Sequence, residues 1–136
     1  MTFLLSSRSY NRLKGVDAKL VRLVELAIKR TPIDFGIAYM GGYRTDEEQN
    51  HLFNSGYSQK DGYLKISKHQ TGEAVDLICF VGNEVVDDER MLWQVAGVVI
   101  SCASELGINI RWGGNWANDN DPRDNNFRDL FHFELI

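Results

Sequence analysis

The chain has 136 residues, 43% hydrophobic and 25% charged, with a formal net charge of -4 at pH 7. That size and balance predict one globular domain over 1–136, with enough apolar content to bury a core unaided by staples. The acidic balance and the lack of any Lys/Arg-rich run argue against a nucleic-acid binder, and no apolar stretch approaches the roughly 20 residues of a membrane span, so no membrane insertion is expected.

In chain order, Met1-Thr2-Phe3-Leu4-Leu5-Ser6-Ser7-Arg8 lacks the basic and long apolar regions of a signal peptide. Val16 to Arg30 is predicted to be a helix, with Val16, Leu20, Leu23, Val24 and Ala27 on one face and Pro32 as its stop. Ile33, Phe35, Ile37 and Tyr39 alternate as in a strand, broken by Gly41 and Gly42. Thr45 and Glu48 form a capping-box pattern that should open a second helix, ended by Gly56. Residues 57–68 are polar and read as a loop. Ala74 to Val81 reads as a buried strand, with Gly82-Asn83 turning into Val85-Val86. Asp87 or Asp88 should cap a long helix to Leu106, with Leu92, Val95, Val99, Cys102 and Leu106 buried and Gly107 at its C-terminal cap. A short strand over Ile108 to Trp112, a polar loop over 113–128 and a last strand from Phe131 to Ile136 complete the chain. This mixture predicts an α+β fold, a small antiparallel sheet with flanking helices. The two cysteines, Cys79 and Cys102, sit in apolar segments and are expected to be buried free thiols, as suits a reducing cytoplasm.

Two short clusters carry chemistry. His69 and Asp76 lie in Ser67-Lys68-His69-Gln70-Thr71-Gly72-Glu73-Ala74-Val75-Asp76, and Asp129 and His132 lie in Asp129-Leu130-Phe131-His132-Phe133-Glu134. A turn at Thr71-Gly72 would let His69 and Asp76 converge, and the last strand, carrying His132, can pair beside the strand of Asp76. Two imidazoles and one carboxylate bind a metal and leave a coordination position open for water. A further carboxylate, Asp129, could act on that water, which is the minimum equipment for metal-assisted hydrolysis. Spacing alone leaves the alternative of ordinary solvated or core histidines open.

The pattern Ser67-x-His69-x-x-Gly72-x-Ala74-x-Asp76, followed by Asp129-x-x-His132-x-Glu134, resembles the zinc D-Ala-D-Ala carboxypeptidase and L-alanyl-D-glutamate peptidase family, of the hedgehog/DD-peptidase fold. Gly42-Tyr43-Arg44-Thr45 with Gln49, and Trp112-Gly113-Gly114-Asn115-Trp116, match in the same order. The resemblance implies zinc on His69, Asp76 and His132, Asp129 as general base and Arg44 as transition-state stabiliser. These roles suit the residue types: a carboxylate can take a proton from an activated water and return it to a leaving amine. A permanently charged guanidinium can face an oxyanion or a substrate carboxylate. Glu134 reads either as an acceptor for a ligand histidine or as an exposed strand residue. Ser67 reads by default as a solvated loop residue, Gln49 as a structural helix residue and His51 as surface. Trp112 and Trp116 read equally as groove lining or core.

An aspartate as base resembles the phage L-alanyl-D-glutamate endopeptidases. The implied function is then a monomeric endolysin that cuts the peptidoglycan stem peptide, stored in the host cytoplasm until lysis. A D-alanyl-D-alanine carboxypeptidase or dipeptidase, and a non-enzymatic zinc-containing cell-wall-binding module, are the alternatives. A non-haem iron oxygenase would place its first His and acid two residues apart rather than seven. The acidic loop Asn118-Asp119-Asn120-Asp121-Pro122-Arg123-Asp124-Asn125-Asn126 resembles calcium loops of some phage relatives, although its spacing is not that of an EF-hand. Ca2+ is therefore a second candidate ion, weighed against a solvated turn.

Overall fold

The computed structural model describes residues 2–124 and 128–136. A short helix missing from the sequence expectation comes first: α1, Ser7–Arg12. It has too few residues to show an apolar period. Ser6 caps it, accepting the Ser9 N–H at 3.1 Å. The long helix α2 is Ala18–Arg30, starting after Val16 because Asp17 caps it and accepts the Lys19 N–H at 2.8 Å. Its face of Leu20, Leu23, Val24 and Ala27 is fully buried.

The first strand, β1, is Asp34–Ile37 and buries Phe35 and Ile37. Tyr39 lies outside it and is 78% exposed. The strand ends because Met40 adopts a φ of 55° and the Gly41 N–H bonds back to the Ala38 carbonyl at 2.8 Å. α3, Asp46–Asn54, opens with the expected box: Thr45 Oγ accepts the Glu48 N–H at 3.1 Å, and Glu48 accepts the Thr45 N–H at 2.9 Å.

β2 is Ala74–Val81 and turns through Gly82 into β3, Glu84–Val86. α4, Glu89–Leu106, is capped by Asp88 and closed by Gly107 at a φ of 70°. β4, Ile110–Trp112, and β5, His132–Leu135, are each shorter than predicted. The sheet runs β1-β2-β5-β4 with β3 also on β2, every pair antiparallel. α2 and α4 pack on each other, α4 against β2 and β4, and α1 against β1. The fold is α+β, as predicted.

The period-2 alternation of strands sorts the side chains. On β2, Val75, Leu77 and Cys79 enter the apolar core; on β5, Phe133 and Leu135 do so. Asp76, His132 and Glu134 therefore project from the opposite face. In the antiparallel register Asp76 stands across from His132, and Glu134 across from both Ala74 and Arg111. Directly opposed residues keep their Cβ atoms about 4.5–5.5 Å apart, so this pairing alone makes a two-ligand site. Cys79 and Cys102 are buried free thiols. Burial, aided by the charges of Asp87 and Asp34, pushes the Cys79 thiol up to about 11, which makes it a poor nucleophile.

Candidate metal centre

His69 is delivered by a tight turn rather than by a strand. Gly72 takes a φ of 74° and its carbonyl accepts the Asp17 N–H at 2.8 Å, which ties the turn to the start of α2. A Cβ on Gly72 would run into the Gly15 carbonyl, so only glycine fits there. Ser67 is buried rather than solvated. Its hydroxyl accepts the His69 N–H at 3.2 Å and its own N–H goes to Gln70 Oε1 at 2.8 Å. His69 itself is 3% exposed.

The two imidazoles meet Asp76 with their orientations decided from behind. His69 Nδ1 is 2.9 Å from the Gly42 carbonyl, which can only accept, so Nδ1 carries hydrogen and Nε2 is the nitrogen left to face Asp76. That Nε2 lies 3.3 Å from Asp76 Oδ2. His132 Nε2 is 2.9 Å from Glu134 Oε1, which leaves Nδ1 facing Asp76 Oδ1 at 3.0 Å. The ring centroids are 5.2 Å apart, nearly edge to face. One ligand atom from each of His69, Asp76 and His132 lies within 4.8 Å of the others. Two imidazole nitrogens and a carboxylate oxygen aimed at one point form a donor set for a divalent cation.

The electrostatics agree. Burial would raise the Asp76 carboxyl, but the charges and hydrogen bonds of His69 and His132 hold it well below the usual carboxylate range. Burial would lower His132, yet its bonds to Asp76 and Glu134 push it up to about 9. A nitrogen that holds a proton this firmly sits where positive charge is favoured, and a cation can take the proton's place.

Glu134, one of two open readings, is buried. Besides His132 it accepts from Arg111 Nη2 at 2.8 Å, and Lys68 Nζ lies 3.9 Å away. Burial opposes its charge, but His132 and Arg111 hold its carboxyl at about 2. Its ionised form is therefore favoured by folding above the unfolded value of about 4.5, and this contribution disappears as pH falls from there toward about 2. Glu134→Gln should lower the denaturation free energy at pH 7 by about 1–3 kcal/mol and flatten the acid side of the stability curve. Equal stability of the two proteins between pH 3 and 7, measured by denaturant titration, would refute the assignment.

Arg44 lies between Asp76 and α3. Its Nη2 is 3.2 Å from Asp76 Oδ2, Nη1 donates to Gln49 Oε1 at 3.0 Å, and Nε to the Met40 carbonyl at 2.6 Å. Burial lowers its pKa, opposed by Asp76, Asp129 and Glu48, and the group remains charged. Gln49 is fully buried; its amide donates to Ser58 Oγ and the Lys60 carbonyl, both at 2.8 Å. It thus joins α3, Arg44 and the 57–68 loop. Met40, whose carbonyl orients Arg44, carries no side-chain signal that sequence reasoning could have used, and Gly42, whose carbonyl orients His69, was legible only as part of the Gly42-Tyr43-Arg44-Thr45 match.

Asp129 lines the same cleft as Arg44, His69, Asp76 and His132, beyond the end of β4. Burial first, then the charge of Asp76, raises its carboxyl pKa. Its backbone is clamped: the Asp129 N–H donates to the Gly113 carbonyl at 2.9 Å, and the Gly113 N–H to the His132 carbonyl at 2.8 Å. A Cβ on Gly113 would collide with the Asp129 carbonyl. Gly113→Ala should therefore cost about 1–3 kcal/mol of stability and displace Asp129, so that turnover falls while the metal stays bound. Unchanged stability and turnover would show that the clamp is not needed.

Trp116 stacks obliquely near His132, with centroids 5.3 Å apart, and lines the cleft. Trp112 instead packs against the core and donates its indole N–H to the Leu130 carbonyl at 3.0 Å. His51 is exposed on α3, outside the cluster. In the acidic loop, the Asp121 carboxylate is paired with Arg123 at 2.8 Å, and Asn125 and Asn126 lie outside the described residues.

A family model described as phage L-alanyl-D-glutamate peptidase matches residues 1–136. The L-alanyl-D-glutamate peptidase of Escherichia phage T5 is 29% identical over 140 residues, covering 100% of both chains. Among solved structures, the L-Ala D-Glu endopeptidase ChiX of Serratia marcescens superposes with a TM-score of 0.80 at 30% identity, covering 98% of this chain and 90% of that one. The L,D-carboxypeptidase DacB of Streptococcus pneumonia, at 20% identity and a TM-score of 0.50, covers 93% of this chain and 65% of its own, and shares the fold alone.

Proposed function

The chain belongs to the phage L-alanyl-D-glutamate peptidase family, and from that premise we propose that it is a zinc endopeptidase cutting the L-alanyl-D-glutamate bond of the peptidoglycan stem. The single observation that carries the metal-dependent reading is the convergence of His69, Asp76 and His132 in a cleft that also holds Asp129. The donor set favours zinc: two nitrogens and one oxygen suit it better than calcium or magnesium, which take mainly oxygen. When bound, such an ion polarises a carbonyl and makes a water acidic enough to ionise near neutrality.

The remaining chemistry falls to side chains. Asp129, ionised, takes a proton from the attacking water; protonated, it returns that proton to the amine of the departing D-glutamyl residue. Its raised pKa suits both halves of the exchange. Arg44, held by Gln49 and Met40, keeps Asp76 oriented and offers positive charge toward the developing oxyanion. Arg44→Lys keeps the charge but loses the fork, and should lower kcat/KM by about ten-fold or more with metal content unchanged. Wild-type kinetics in that variant would remove Arg44 from the mechanism. The proposed setting is that of an endolysin, acting on the cell wall at lysis after storage in the host cytoplasm.

The test is digestion of purified peptidoglycan with mass analysis of the fragments. New N-terminal D-glutamate ends are expected. Release of terminal D-alanine alone would instead support a carboxypeptidase.

A further inference from the structure

The cleft carries positive charge that the catalytic roles leave unused. In a chain of net charge -4, Lys68 and Arg111 both line the cleft beside His132. Both are directed at one carboxylate. Arg111 Nη2 is 2.8 Å from Glu134 Oε2 and Lys68 Nζ is 3.9 Å from it, with Nζ also donating to the Leu135 carbonyl. Two cations against one anion leave a surplus of one positive charge at this edge. The guanidinium also lies over the Trp116 ring, 5.9 Å from its centroid, and that ring borders His132. The Arg111 Nε is buried and has no acceptor among the described residues, so only the terminal nitrogens are offered to a ligand.

The substrate has a matching anion. A D-glutamyl residue has two carboxyl groups, and extension of the stem through an amide consumes only one. The other stays as a free carboxylate within a few bonds of the scissile amide. Resting on the peptidase reading above, we propose that Arg111 and Lys68 form the specificity element that binds this free D-glutamyl carboxylate, so that the enzyme discriminates against stems in which it is amidated. Arg111 supplies a planar fork suited to a carboxylate, and Lys68 a point charge that keeps Glu134 from neutralising it.

The test compares two synthetic stem peptides that differ only in the free acid or primary amide on D-glutamate. With metal-loaded wild-type protein, kcat/KM for the acid should exceed that for the amide by roughly ten- to a hundred-fold, the range of one charge-assisted hydrogen bond. In Arg111→Gln and in Lys68→Gln this ratio should shrink toward one, chiefly through loss on the acid. Arg111 also supports Glu134, so general damage to the site would lower both substrates together. Such an equal fall, or a wild-type enzyme indifferent to amidation, overturns the proposal. Failure of the wild type to cut either peptide would strike the endopeptidase reading itself, and the inference with it.

Discussion

Asp129→Asn is expected to lower turnover of the stem peptide by about 10²–10⁴-fold while the protein keeps its metal. The carboxylate lines the cleft but is not one of the three convergent donors, so its loss should leave the ion in position. Asparagine preserves the shape and removes the proton acceptor. The clamp to Gly113 is made by the backbone and survives the change. The pH profile provides a second readout. Burial raises the Asp129 carboxyl, and the group works as a base only when ionised. Activity of the wild type should therefore fall as pH drops through a value above the ordinary aspartate range, and residual activity of the variant should lack that limb. Metal content by elemental analysis, kcat/KM and the pH profile together decide. A variant that retains metal and turns over at the wild-type rate would eliminate Asp129 as the base.

Removing the ion should have the other large effect, on both activity and stability. Dialysis against a strong chelator is expected to bring hydrolysis to background, and zinc should restore it. If the free ion stands at about 1,000 times its dissociation constant, its binding contributes about 4 kcal/mol to the folded state. For a chain of this size that is a melting-temperature shift of roughly 10 °C. His132→Ala should show the same loss of activity and no longer respond to added zinc. It also leaves the Glu134 carboxylate without its histidine partner, so stability falls further than ion removal alone predicts. Asp76→Asn should abolish zinc binding as well, since the carboxylate is the only anion among the three donors. Full activity in chelator-treated protein of verified low metal content would undo the metal-dependent reading.

Much of the architecture was legible because local chemistry and tertiary packing agree. The α2 face, the Thr45–Glu48 box, the Gly82 turn and the Gly107 cap each follow from nearest neighbours. Helix α1 was not legible: six residues give too little periodicity, and its stability rests on Ser9 bonding to β1, a partner 28 positions away. Tyr39 alternates correctly for a strand but falls in the turn that Met40 closes, after β1 has ended at Ile37. Ser67 looked like a solvated loop residue because nothing in its neighbours reveals that it holds the His69 backbone. Glu134 had two open readings, settled by a strand pairing that brings Arg111 opposite it.

By itself the sequence determined the alternation on β2 and β5, because successive strand side chains must point to opposite faces. Asp76 was bound to leave the core between Val75 and Leu77, and His132 and Glu134 were bound to flank Phe133 on the same side. What only the tertiary structure decided is the register that sets Asp76 against His132, the turn that swings His69 in, and which nitrogen of each imidazole faces the carboxylate. Those depend on the Gly42 carbonyl, 27 positions from His69, and on the close approach of Gly113 to Asp129, contacts between separate segments of the chain. No local rule of spacing encodes them, since each exists only once the chain has folded.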